Sequence, residues 1–321
     1  LKDTIFMRKI KAKNEKVMIK FNESWTQVKK DKALYVLLAP MIIWLILFKY
    51  KPLYGLQIAF KDYNIFKGIE ASKWVGFEHF ITFFNGPYFL RTFGNTVILN
   101  GVMLLVSFPI PIILALLINE IRIMRFKKFI QTSIYLPHFI SSVIIAGIVV
   151  NFLSPSTGII NILMEKIGLD RVYFLIKPEY FRGVFVSMNV WQDAGFNSIV
   201  FLAALSAIDP QLYEAVKIDG GNKFKQMIHV TLPGILPTIM IMLIIAIGNL
   251  LNLSFEKIIL LYNPSTFETA DVLSTFVYRT GLVNAQYDLA AAVGLFEALI
   301  AFVLVYGANR LSKKFTQNSL W

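Results

Sequence analysis

Six apolar runs recur along this 321-residue chain, each set off from the next by a polar or basic stretch. They cover residues 33–48 (lengthened at an interface by Tyr50 to Tyr54), 93–118, 130–153, 184–206, 233–255 and 288–309. About 20 predominantly apolar residues in helical conformation cross a bilayer core. Lipid offers no hydrogen bonds, so such a run must satisfy its own backbone as a helix. The chain is 56% hydrophobic and 16% charged, with mean hydropathy +0.60. Soluble domains carry about 25% charged residues. The pattern predicts an all-α membrane protein with six transmembrane helices rather than a soluble globule.

The net charge of +12 reads as topology, not as a nucleic-acid footprint. Basic residues collect in loops that remain cytoplasmic. Residues 1–32 hold ten Lys/Arg against four Asp/Glu, and residues 119–129 hold four basic residues and one acid. Arg310, Lys313 and Lys314 close the last run. Six spans put both termini on one side, with these basic stretches, so both are expected to be cytoplasmic. The basic tail has no apolar core and no small-residue cleavage site, which argues against a cleaved leader. The expected organisation is a tail at 1–32, one membrane domain at 33–310 and a tail at 311–321. Residues 50–92 form a long aromatic loop with short structure at the outer interface. Pro109, Pro111 and Pro137 predict static kinks. The chain has no cysteine, and His79, His138 and His229 are far apart, so no short metal-ligand spacing exists.

The loop at 207–232 is unlike a simple turn. Asp209-Pro210 is a helix start, Asp at the N-cap and Pro at the first helical position. A short helix over 211–219 is ended by Gly220-Gly221. A second short helix, about 222–231, leads to Leu232-Pro233. Asp219 is placed to cap that second helix. Ala215 and Gly220 permit close approach of a partner, and Glu214 offers it a carboxylate. A connector with no further role is the plain alternative on these residues alone.

The order Glu214-Ala215-Val216, Asp219-Gly220, then Val230, Leu232 and Pro233 resembles the cytoplasmic EAA loop of ABC importer permeases. Gly220 falls four residues past the triplet, and Glu214 and Pro233 are nineteen apart, as in that pattern. Val216 and Val230 depart from it by mild apolar exchanges. Over nearly its whole length the chain is similar to the oligosaccharide and polysaccharide branch of the maltose-type permeases. The stretches that carry this are VGFEHF (75–80), NTVILN (95–100), YLPHFIS (135–141), LLYNPSTFETADVLSTFVYRTGL (260–282) and YDLAAAVGLF (287–296). The resemblance implies a type I ABC importer permease of the bacterial inner membrane. It implies a coupling helix at 211–220 that docks on a separate ATPase, and two ATPase subunits holding ATP and magnesium. It further implies a second, homologous permease in a heterodimer, and an extracellular binding protein that delivers a saccharide.

No Gly in the chain is followed by Lys, so no G-x-x-x-x-G-K-[ST] phosphate loop exists here. ATP hydrolysis is therefore expected from another chain, and no cofactor or metal is expected on this one. Polar residues inside the runs are the candidates for a substrate path. Asn189, Asp193 and Asn197 recur at i, i+4, i+8, with Trp191 and Gln192 beside them; Asn249, Asn252 and Glu256 recur at i, i+3, i+7. Charge at mid-bilayer costs about 2.5–3.5 kcal/mol, so such residues face protein or water. They line a path for sugar hydroxyls or bind helix to helix. Glu297 is expected in a structural pairing. Rival readings are a permease for a non-sugar solute and, more remotely, a proton-coupled secondary transporter. A membrane enzyme would need a catalytic cluster, and none is evident.

Overall fold

In the computed structural model, residues 30–248 and 255–316 are described. The tail through residue 29, Asn249 and Asn252 lie outside these. The chain divides into two units, Leu1–Gln57 and Ile58–Trp321. In the first, α1 (Lys32–Leu45) passes through a π-helical turn at Ile46–Tyr50 into 3-10 turns from Lys51. Val36, Leu37 and Met41 on it are exposed.

The second unit opens with a short antiparallel ribbon, β1 (Lys61–Asp62) and β2 (Lys73–Trp74), with Lys61 opposite Trp74. An amphipathic helix follows, α2 (Glu78–Asn85). Then α3 (Phe89–Ser107) runs into α4 (Pro109–Asn119) through Phe108, which keeps helical torsions. Pro109 sits at the start of α4, where its missing N–H costs little. The pair counts as one 31-residue stretch, Phe89–Asn119.

The run expected as one helix over 130–153 is broken. α5 (Met124–Tyr135) gives way to a 3-10 turn at Leu136–Phe139, and α6 (Ser142–Phe152) leaves at a bend of 101°. Ile140 and Ser141 are extended, and the Ser141 hydroxyl accepts from the Ile144 N–H to start the new helix. This is a change of direction, not the kink that Pro137 alone predicts. After α7 (Ile159–Lys166), α8 (Pro178–Ser206) runs for 29 residues, six longer at its start than the apolar run. A β-carbon added at Gly195 would come within 2.0 Å of the Ile134 carbonyl oxygen, so glycine there lets α8 lie directly on the α5 backbone.

α9 (Pro210–Ile218) turns off α8 by 70°. The second short helix of the loop does not stop at Leu232-Pro233. Lys223–Gln226, a π-helical turn at Met227–Thr231 and α10 (Leu232–Gly248) form one 26-residue stretch. α11 (Phe255–Leu261), α12 (Leu273–Tyr278) and α13 (Tyr287–Thr316) complete the unit. Among the described residues, four helical stretches are long and apolar enough to cross a membrane, and up to six if each bent pair counts as one.

Among the described residues, three apolar clusters hold the second unit. Ala115, Phe201, Leu205 and Ile235 join α4, α8 and α10. Leu99, Ile145, Phe185 and Ile258 join α3, α6, α8 and α11. Phe83, Phe276 and Val293 join α2, α12 and α13, with Phe89 and Phe296 packed against them. α8 is common to the first two and so links the corner after Ser206 to the middle of the unit.

Candidate functional site

The loop after α8 is a corner built almost wholly from local hydrogen bonds. Asp209 is the N-cap of α9, its carboxylate accepting from the Gln211 N–H at 2.9 Å. At the other end Gly220 has φ +72°, the left-handed conformation that costs a side chain energy. The Gly221 N–H reaches the Val216 carbonyl at 2.8 Å and the Gly220 N–H reaches that of Lys217 at 3.1 Å, closing the helix as a Schellman motif. Asp219 does not cap the second helix as expected. That role belongs to Asn222, whose Oδ1 accepts from the Lys225 N–H at 2.9 Å, while Asp219 is the C-cap residue of α9. Tyr213 Oη and Thr231 Oγ1, 3.2 Å apart, tie the two arms.

This corner presents its side chains outward. Glu214, Ala215, Asp219, Gly220 and Pro233 are exposed, with Val216 half-buried against the turn. The two most exposed of its large apolar side chains are Ile218, at 86%, and Phe224, at 63%. The sequence reading passed over both, although an apolar residue in an otherwise polar loop is itself a signal. Lys223 Nζ donates to Glu120 at 2.7 Å, so the basic turn after α4 lies beside the corner.

The polar residues of α8 meet a different fate. Lys257 on α11 has a side chain only 7% exposed; its Nζ donates to Asn189 Oδ1 at 2.8 Å and to Asp193 Oδ2 at 2.9 Å. The other Asp193 oxygen is 2.9 Å from His138 Nδ1, at the break between α5 and α6. A carboxylate only accepts, so that histidine nitrogen carries the proton. The His138 ring stacks on Phe196, 3.9 Å between centroids. Gln192 donates to the Ile140 carbonyl at 2.9 Å in the same break. Asn189 and Gln192 are thus buried braces rather than open lining, whereas Asp193 is one-third exposed and joins three elements.

Of the other expected path residues, Asn197 and Glu256 are exposed. The network uses Lys257, one residue past Glu256 and about 100° around the helix. Trp191, 46% exposed, lines a cavity of about 590 Å³ with Phe152, Phe174 and Tyr180, between α6 and α8. Glu297 is half-buried on α13 and has no side-chain partner among the described residues, so the expected pairing is not found there. His138 and Lys257 were missed because each matters through a partner more than 50 residues away.

Residues 107–317, most of the second unit with the corner and the network inside it, match the model of binding-protein-dependent transport system inner membrane components. The chain is 43% identical over 311 residues to the polygalacturonan/rhamnogalacturonan transport system permease protein YteP of Bacillus subtilis (strain 168), covering 97% of this chain and 95% of that protein. In structure it is similar to a chain of a bacterial ABC transporter involved in the import of the acidic polysaccharide alginate. The TM-score is 0.86 at 50% identity, covering 91% of this chain and 99% of that one. The same likeness, with TM-score 0.86 and 50% identity over 92% of this chain and 99% of the other, extends to a bacterial alginate ABC transporter in complex with an alginate pentasaccharide-bound periplasmic protein. This chain belongs to the family of binding-protein-dependent transport system inner membrane components.

Proposed function

We propose that this chain is one membrane-spanning subunit of an ABC importer for oligosaccharides or polysaccharide fragments. The observation that carries the reading is end-to-end likeness, 97% of this chain, to a permease of a polysaccharide transport system. A separate ATPase pair binds ATP and magnesium, and an extracellular binding protein delivers the saccharide. A second, homologous permease completes the path in a heterodimer, and this chain does no covalent chemistry. The chain crosses the plasma membrane six times with both termini cytoplasmic. The Lys223–Glu120 pair supports this, since it puts the basic turn and the corner on one face.

The corner is the coupling element, and α9 docks on the ATPase through Glu214, Ala215, Val216, Asp219, Gly220 and Pro233. Caps at both ends support that role, because a lever must not unwind under load. Ile218 and Phe224 supply apolar contact area beside the charged residues. Motion entering at α9 passes into α8, and α8 carries Asp193 and Trp191 at the path. Among the described polar path candidates, the exposure of Asp193, Asn197 and Glu256 supports their meeting a sugar; Asn249 and Asn252 remain candidates from their spacing alone.

The test is uptake in liposomes. This chain is reconstituted with its permease partner, ATPase and binding protein, and labelled neutral and acidic oligosaccharides are offered. ATP-dependent uptake of one saccharide class is expected. Stimulation by a non-sugar solute alone removes the saccharide, and uptake without ATP removes the importer.

A further inference from the structure

A cluster of arginines lies toward the end of α8 remote from the corner. Arg182 stands on the first turns of that helix, 24 residues before Ser206, which is about 36 Å along the axis. Its Nη2 donates to Asn95 Oδ1 on α3 at 2.8 Å. Asn95 in turn donates to the carbonyls of Glu268 and Asp271, at 2.9 and 3.0 Å. Asp271 is fully buried and is the centre of the cluster. It accepts from Arg91 Nη2 at 3.0 Å, Arg279 Nη1 at 3.0 Å, Arg279 Nη2 at 2.8 Å and Thr275 Oγ1 at 2.9 Å. Those hydrogen bonds, and the buried charge behind them, raise the Arg279 guanidinium above its ordinary value.

Charge does not balance here. Two guanidinium groups, Arg91 and Arg279, share one carboxylate that four donors already saturate, and a third, Arg182, joins them through Asn95. Arg182 has no carboxylate partner among the described residues. Glu179, near Arg182 in sequence, and Glu268, whose carbonyl accepts from Asn95, are exposed and pair with none of the three. The hydrogen bonds are also incomplete: Nε of Arg91 and Nε of Arg182 are buried without a partner. A buried donor left unpaired costs free energy, more so on a charged group. Excess charge and orphaned donors call for the same thing, an oxyanion with in-plane lone pairs. Flat apolar surfaces stand beside it. The Arg91 guanidinium lies 5.3 Å from the Tyr88 ring and that of Arg279 lies 4.9 Å from the Phe267 ring. Arg91 and Arg279 are 35% and 24% exposed, so the cluster is open to a ligand.

We propose that Arg182, linked through Asn95 and Asp271 to Arg91 and Arg279, is an anion site that receives the carboxylate of an acidic saccharide at the end of α8 remote from the coupling corner. This rests on the saccharide reading above and makes the substrate class uronate-bearing. A lipid phosphate shares the chemistry of an oxyanion, so the test must separate the two. The full permease–ATPase complex is placed in nanodiscs, with and without phosphatidylglycerol, and no binding protein is added. Saturation transfer from protein to sugar is then read by NMR. The probes are trigalacturonate and its carboxyl-reduced, neutral counterpart.

The wild type is expected to favour the acidic probe. Arg182→Gln lowers the acidic-to-neutral signal ratio about tenfold, the worth of one charge-assisted hydrogen bond. Arg182→Lys keeps the charge and recovers part of the ratio, which a variant that merely misfolded would not do. The proposal is overturned if the wild type does not favour the acidic probe or if Arg182→Gln leaves the ratio unchanged. It is equally overturned if the preference depends on phosphatidylglycerol, which would assign the cluster to a headgroup. If the wild type imports saccharide in liposomes but fails here, only the site falls. If it imports no saccharide, the site falls with the reading it rests on.

Discussion

The corner after α8 and the network around Asp193 both depend on polar groups, but they are made in opposite ways. In the corner the caps and the glycine turn are made by hydrogen bonds that span five residues or fewer, Asp209 to Gln211, Val216 to Gly221 and Asn222 to Lys225. Its side chains face outward and are free to meet another protein. The network joins residues 55 and 64 positions apart across three helices and buries an ammonium group. The first can be rigid without tertiary support, and the second exists only when α5, α6, α8 and α11 are assembled. Hence surface changes at the corner should leave the fold intact and remove function. Changes in the network should first cost stability.

The largest effect is expected from Glu214→Lys. Glu214 is exposed and its carboxylate has no partner among the described residues, so nothing in the fold requires it. ATP-driven uptake in liposomes should fall to background while the purified variant inserts and melts as the wild type does. Gly220→Asp should behave similarly, because Asp tolerates the left-handed conformation better than most residues. If either variant, correctly inserted, transports normally, the corner is a mere connector and the contrast with the network collapses.

Next in size is Asp193→Asn. It leaves Lys257 buried beside two amides with no counter-charge. Breaking a buried pair from one side typically costs 3–5 kcal/mol, and here about 3, since Asp193 is one-third exposed. The midpoint of thermal unfolding in detergent should drop accordingly. Adding Lys257→Met removes the stranded ammonium and should return much of the loss, a coupling of about 1–3 kcal/mol in a double-mutant cycle. Additive losses would mean that the pair contributes little and that the network is better described as a path lining.

The same contrast explains what the sequence could reveal. Spans are legible because lipid imposes length and hydropathy on each run separately. The corner is legible because caps and the Gly-Gly turn are short-range chemistry; even there, Asn222 was overlooked in favour of Asp219, although Asn is as good an N-cap. The break at Ile140–Ser141 was not legible: Pro137 marks a disturbance but not a 101° turn, at which Gln192, 52 residues away, donates to the Ile140 carbonyl. Gly195 reads as a tolerated glycine until α5 is laid against it. Asn189 and Gln192 read equally well as lining or as glue, since periodicity names a face and not what the face touches. Lys257 was hidden beside Glu256, whose spacing fitted the expected polar stripe.

The smallest effect tests the corner against itself. Asn222→Ala removes the side-chain acceptor at the start of the second helix and should cost about 1 kcal/mol. Asp219→Ala removes a carboxylate at the C-terminal end of α9, where the helix dipole disfavours negative charge, and should leave the melting temperature where it is. Uptake should respond the other way round. The Asp219 carboxylate is exposed, whereas the Asn222 side chain is engaged as a cap, so under the proposed docking Asp219→Ala should slow ATP-driven transport more than Asn222→Ala does. Equal losses of uptake, each tracking its loss of stability, would mean that the corner acts only by being folded. A loss confined to Asp219→Ala, at unchanged stability, would locate part of the docking surface on the glycine turn as well as on the helix before it.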